Sequence, residues 1–203
     1  MNTTPEEFLK QYYTPSVKQP QIITIPALNF LMIDGHGDPN TTPDYSTVVS
    51  ALYTLSYTLK FDLKKRGETP DYKVFPLQGL WWSSNMDDFV TGTKSNWDWT
   101  MMIAQPDWVT AEDIDRAKIK ALAKVTQAVL DRMRFEPCDE GLVVQLMHIG
   151  PYSAEGPNIA RLHQFAFDQG YKLTGKHHEI YLGDPNKAAP DKLKTIIRQP
   201  VSK

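Results

Sequence analysis

The chain is short of cysteine. It has one, Cys138, in 203 residues, so no intrachain disulfide can form. That absence fits a reducing compartment, and a cytoplasmic protein is expected. Cys138 precedes the acidic pair Asp139-Glu140. An anionic neighbourhood keeps a thiol protonated, so the residue reads as a bystander and not a nucleophile. Long apolar runs are also missing. None approaches the 18 residues of a membrane-spanning helix, and the opening MNTTPEEFLK carries no signal-like apolar stretch. No membrane partner is expected.

Charge of one sign is lacking too. The formal net charge is -2, and the 22 cationic residues are scattered. The densest run, Lys64-Lys65-Arg66, falls at a helix end, where cations offset the negative pole of the dipole. Direct nucleic-acid binding, which needs a concentrated basic face, is not expected. Phosphate-cradling Gly-x-Gly-x-x-Gly and Gly-Lys-Ser/Thr patterns are absent, as is a Gly-x-Ser-x-Gly nucleophile elbow. No cofactor is expected.

What the chain has in excess is aromatic surface. Five Trp and nine Tyr include a group close in sequence: Trp81, Trp82, Trp97, Trp99 and Trp108. Indole and phenol pair a large apolar face with a polar edge, which suits both cores and ligand pockets.

Periodicity divides the chain. Residues 1–20, polar and broken by Pro5, Pro15 and Pro20, read as an N-terminal arm too short for a helical DNA-binding domain. Strand signals cover 22–25 and 28–33. The Gly35-His36-Gly37-Asp38-Pro39-Asn40 turn leads to Thr42 as a cap, with Pro43 opening a helix over 43–65. Tyr72 to Leu80, broken by Pro76 and Gly79, and Trp97 to Ile103 read as strands. Thr110 and Asp113 form a capping box at the head of a long helix over 110–134, closed by Phe135-Glu136-Pro137. The order then recurs. A strand over 141–149 is followed by the Gly150-Pro151-Tyr152 turn and a helix from Pro157 to Gly170. Strands over 171–173, 176–182 and 193–200 complete it.

The expectation is an α+β fold of duplicated strand-helix-strand-strand units with antiparallel sheet. The half-repeats lie at about 21–106 and 140–203 of a domain spanning 21–203, joined by helix 110–134.

The chemistry concentrates at His177-His178-Glu179-Ile180-Tyr181-Leu182. Alternate residues of a strand share a face. His178, Ile180 and Leu182 should therefore point to the helices, and His177, Glu179 and Tyr181 to the open face. A carboxylate between imidazole and phenol can act as an acid/base group or bind a cation. The two adjacent histidines face opposite sides and no His-x-x-x-His or Cys/His spacing exists, so no metal site is expected. Tyr152, at the strand-to-helix turn, could hydrogen-bond a ligand. Trp82 and Trp99 are candidates for ring-stacking walls.

At these residues the chain resembles the GyrI-like small-molecule-binding family. The resemblance rests on Ile33-Asp34-Gly35-His36-Gly37-Asp38-Pro39-Asn40, Leu77-Gln78-Gly79-Leu80-Trp81-Trp82, Glu140-Gly141-Leu142 and His148-Ile149-Gly150-Pro151-Tyr152. It is completed by the His177–Leu182 run with Asp184-Pro185, and by Lys194-Thr195-Ile196-Ile197-Arg198-Gln199-Pro200. It covers roughly residues 15–203. It implies a pseudo-twofold pair of units whose sheets form a saddle, with helices on one side and a ligand cleft on the other. It also implies that a glutamate on a late strand, here Glu179, receives cationic aromatic ligands in drug-sensing activators. Stand-alone relatives include hydrolases that open the cyclopropane rings of DNA-alkylating natural products, and the wider family includes gyrase-inhibitory proteins. Because no DNA-binding domain precedes residue 21, the expected protein is a stand-alone small-molecule binder of detoxification type that hydrolyses an electrophilic cyclopropane-bearing toxin, the alternatives being a non-catalytic multidrug-binding or sequestering protein or a gyrase-interacting protein. Glu179, Tyr152 and Tyr181 are its candidate catalytic residues. Trp82, Trp99, Tyr152, His177, Glu179 and Tyr181 are its candidate ligand contacts.

Overall fold

The computed structural model describes residues 4–67, 69–85, 92–185 and 187–203. Of the polar connection over 83–96, residues 86–91 lie outside the described set, as does Asn186 in the Asp184-Pro185-Asn186 turn. The fold is mixed α+β, and the strand pairings described below are all antiparallel. The chain forms two compact units. Residues 28–77 and 81–138 make most of the first. Residues 7–27, 78–80 and 139–203 make the second.

In the first unit, β2 (Leu28–His36) pairs with β4 (Asp98–Gln105) on one side and β5 (Arg134–Cys138) on the other. Helix α2 (Pro43–Arg66) covers this sheet with Val48, Leu52, Leu55, Leu59 and Leu63, all buried. The helix begins on Pro43 and ends at Gly67, whose φ of 70° is the left-handed conformation that suits glycine at a C-cap. Thr42 holds the N-cap position, but its side chain makes no capping bond. Strand β3 (Leu77–Trp82) is displaced from the expected span of 72–80, because Pro76 lacks the amide needed for a ladder bond. Tyr72 and Phe75 are buried all the same.

The expected single helix over 110–134 is not formed. The Thr110–Asp113 capping box is present, but α3 (Ala111–Ala121) stops there and a short α4 (Gln127–Arg132) follows. Residues 134–138 are a strand, not a helix end. The backbone of β2 has a second edge to satisfy, and pairing it outweighs the local helix preference of the segment. Pro137 is tolerated because β5 has a partner on one side only within this unit. Arg134 anchors the strand by an ion pair to Asp34 of β2.

In the second unit, β1 (Gln21–Ile25), β6 (Gly141–Ile149), β9 (Lys194–Ser202) and β8 (His177–Tyr181) pair in that order, with β7 (Lys172–Leu173) also on β9. Helix α5 (Gly156–Asp168) packs Leu162 and Ala166 on Val144, Leu146, Ile197 and Val201. The duplication is visible in the pairing. In each unit the strand before the main helix pairs antiparallel with the last strand of the repeat, β2 with β4 and β6 with β9.

Residues 4–20 are not a loose arm. Helix α1 (Pro5–Tyr12) buries Phe8, whose ring meets Tyr13 edge-on at 5.8 Å. The amide of Met147 donates to the Ser16 carbonyl, and Arg161 donates to the carbonyls of Val17 and Lys18. The phenol of Tyr13 is buried, which pushes its pKa up to about 12.

Candidate functional site

Strand β8 alternates between buried and half-buried positions from His177 to Tyr181, as a two-residue period requires. Ile180 packs inward as expected. His178 does so as a polar residue and not as part of an apolar face. Its Nδ1 meets Glu140 Oε1 at 2.7 Å, and its Nε2 lies 2.9 Å from Gln78 Oε1. Arg198 donates to the other Glu140 oxygen at 2.8 Å and to Gln145 Oε1 at 3.1 Å. Gln78 donates to the Tyr13 hydroxyl at 2.6 Å. Burial opposes the charge on Glu140, yet the neighbouring His178 and Arg198 hold its pKa near 2. Burial of His178 lowers its own pKa, against the pull of Glu140. The network leaves no polar atom of Glu140 idle, and it locks β8, β9 and the start of β6 together.

The opposite face of β8 carries the candidate site. Glu179 is largely buried, with 16% of its side chain accessible. Its Oε1 lies 3.2 Å from His177 Nε2, and its Oε2 accepts from the Tyr181 hydroxyl at 2.8 Å. Glu155 also hydrogen-bonds to it. Carboxylates only accept, so a bond between two carboxyl groups requires a proton on one of them. Burial raises the Glu179 pKa, but His177, Tyr181 and Glu155 together bring it below the ordinary range. Glu155 lies on the side of Glu179 away from bulk water, and its bond is one of the causes that lower the Glu179 pKa.

Glu155 was not among the sequence candidates. It sits at the N-cap of α5 and is 4% exposed. Its side chain makes no capping bond and turns to Glu179 instead. The visible signal was an acidic residue directly before Gly156-Pro157, an unusual place for a carboxyl to be buried.

The loop before Glu155 is built by His148. Its Nε2 faces the Pro151 carbonyl at 3.2 Å and its Nδ1 faces Asn158 Nδ2 at 2.8 Å, an arrangement satisfied by a neutral ring that donates to one and accepts from the other. Gly150 (φ 138°) bends the chain tightly over that ring. The turn delivers Tyr152, half exposed, with its ring edge-on to Tyr181 at 5.5 Å. His163 lies close enough for the charge of His177 to lower its pKa, although burial is the larger cause. Its Nε2 is buried and, among the described residues, has no hydrogen-bond partner.

The structure therefore brings Tyr152, His177, Glu179 and Tyr181 together and adds Glu155 and His163. Trp82 and Trp99 belong to the other unit. Trp82 is half-buried. Trp99 is fully buried, its indole lying over Gly35 opposite it in the β2–β4 ladder and donating to the Gly37 carbonyl at 3.2 Å. It packs with Tyr45, which in turn meets Trp81. Among the described residues no group of three or more His, Cys, Asp or Glu side chains is arranged to hold a metal ion. Among the same residues no helix is long and apolar enough to cross a membrane.

The chain is 40% identical to an uncharacterized conserved protein from Listeria innocua whose crystal structure superposes with a TM-score of 0.89, covering 97% of this chain and 98% of that one. A protein described as a hydrolase from Listeria innocua matches with the same identity and coverage and a TM-score of 0.82. The C-terminal domain of EcmrR shares the fold at 18% identity, with a TM-score of 0.57 over 91% of this chain and 98% of that one. No curated protein matches the chain. Residues 18–202 match the GyrI-like small molecule binding domain, and the chain belongs to that family.

Proposed function

We propose that the protein binds an electrophilic, flat or cationic organic compound against Glu179 and hydrolyses it, as a detoxifying enzyme of the cytoplasm. The observation that carries this reading is the Glu179 carboxylate, largely buried and hydrogen-bonded by His177, Tyr181 and Glu155, which bring its pKa below the ordinary range. Such a group attracts a cation, and it also accepts a proton from water. A proton shared between Glu155 and Glu179 would supply both an acid and a base at one place. The Listeria innocua relative described as a hydrolase supports the enzymatic reading. The single cysteine supports the reducing setting.

For a cyclopropane conjugated to a carbonyl, the chemistry follows directly. Water adds to the strained carbon as Glu179 takes its proton, the ring C–C bond breaks, and the electron pair moves to the carbonyl oxygen. Tyr152 or Tyr181, whose rings meet edge-on, would hydrogen-bond the oxygen that gains charge.

The competing reading is sequestration without turnover, favoured by the match to a binding-domain family. Incubating a cyclopropane-bearing alkylator with sub-stoichiometric protein separates the two. Consumption of many equivalents supports hydrolysis. Consumption that stops at one equivalent supports capture and rejects the enzyme.

A further inference from the structure

We infer that Thr195, on the strand beside Glu179, is the second residue that holds the hydrolytic water. The inference rests on the hydrolytic reading of Glu179 and extends it to an uncharged side chain. Thr195 is the first buried residue of β9 and is 0% exposed. The strand ladders set it directly between Tyr181 of β8 and His148 of β6. Residues opposite one another in an antiparallel pair share a face of the sheet, so Thr195 lies on the face that carries Tyr181 and Glu179. Glu179 is opposite Ile197, one step along the same face, and so stands diagonal to Thr195. Diagonal neighbours are about 7–8 Å apart, a gap that a glutamate side chain and one water molecule span. Helix α5 covers this face, resting on Ile197 and carrying Glu155 at its N-cap.

The hydroxyl is what sets Thr195 apart. Its Oγ1 is buried and, among the described residues, has no hydrogen-bond partner. The next two residues of the strand are Ile196 and Ile197. A valine at 195 would fill the same β-branched shape with no hydroxyl to satisfy. An unmade hydrogen bond in such a place is costly, and buried hydroxyls find a partner in protein or in ordered water. A buried water in turn needs two to four polar partners. Glu179 is the second one here. A carboxylate offers about four lone-pair positions, and its partners His177, Tyr181 and Glu155 leave room for one more.

A water with one hydrogen on Glu179 and the other on Thr195 Oγ1 has a lone pair directed away from the sheet, toward a bound substrate. As that oxygen bonds to the strained carbon, its first proton passes to Glu179. The electron pair of the broken ring C–C bond moves to the substrate's carbonyl oxygen. The second hydrogen stays on the new hydroxyl group, and Thr195 neither gains nor loses a proton. Its part is to fix the direction of attack, where a small misplacement costs about 10²-fold in rate.

The water site is tested without any substrate. A crystal structure of the wild type should show a water within about 3.2 Å of both Thr195 Oγ1 and a Glu179 oxygen. Thr195→Val should lose that water and keep or raise the thermal midpoint, because an unsatisfied hydroxyl is replaced by a methyl group. A wild type with no water there overturns the inference, whatever its activity. Turnover of a cyclopropane-bearing alkylator tests the role. Thr195→Val should lower kcat by about 10²-fold with KM little changed, and Thr195→Ser should recover most of the loss. Wild-type kcat in Thr195→Val overturns the inference, and so does a loss that Thr195→Ser does not recover. A wild type that holds the water and consumes no alkylator supports the Thr195 site and rejects hydrolysis, so the two failures are told apart.

Discussion

The Tyr181 hydroxyl donates to Glu179 Oε2 at 2.8 Å, from a position two residues further along the same strand. The pleat of β8 places both side chains on one face, so a short stretch of backbone positions the phenol against the carboxylate. His177, two residues before, approaches the other oxygen. Three consecutive residues of one strand face thus surround a single negative charge.

Removing that charge is the first test. Glu179→Gln keeps the shape and loses the base. Turnover of a cyclopropane-bearing alkylator should fall by about 10²–10⁴-fold, the range of general acid–base catalysis, with little change in thermal midpoint. Wild-type turnover in the variant would remove Glu179 from the reaction.

Tyr181→Phe should act through Glu179. The hydrogen bond it removes lowers the Glu179 pKa, so the variant carboxyl titrates at higher pH than in the wild type. Activity needs the anion, so the acid limb of the pH–rate profile should move upward while the plateau above it changes less. An unmoved acid limb would show that another group sets it.

Glu140→Gln tests the buried network behind the site. Removing one partner leaves Arg198 and His178 without their counter-charge, at a cost of about 3–5 kcal/mol. The sign of the pH effect follows from the folded pKa of about 2, below the ordinary 4.5. The stabilisation is present above the ordinary value and is lost as pH falls toward the folded one. Acid unfolding followed by circular dichroism should show this loss below pH 4.5 in the wild type, and a smaller dependence in the variant.

Gly35→Ala tests the packing of Trp99. An added Cβ would lie 2.0 Å from the indole, so the ring must move out of a fully buried position. Overpacking of this kind costs about 1–3 kcal/mol. A depressed chemical-denaturation midpoint is expected, with changed Trp fluorescence. A variant as stable as the parent would show that the indole has room to shift.

Much of the fold was legible in local pattern. The apolar period of α2, its Pro43 start and Gly67 stop, and the alternation of β8 are properties of a few adjacent residues, and they hold in the structure. The failures were of a different kind. The helix over 110–134 ends early because the β2 edge recruits residues 134–138, a partner remote in sequence. The N-terminal arm over 1–20 is polar in sequence, yet Phe8 and Tyr13 are buried in the second unit. His178 points inward with Ile180 as expected, but its imidazole is satisfied there only by residues remote in sequence, Glu140 and Gln78.

The same division holds for the site. The sequence by itself determined that Glu179 shares a strand face with His177 and Tyr181, because strand geometry depends only on neighbouring residues. Tertiary structure alone decided that Glu155 hydrogen-bonds to it. It also decided that Tyr152 meets Tyr181 edge-on and that Trp99 is closed over Gly35. Those contacts join residues from different elements, and which elements meet is set by burial of the whole core and not by any local pattern.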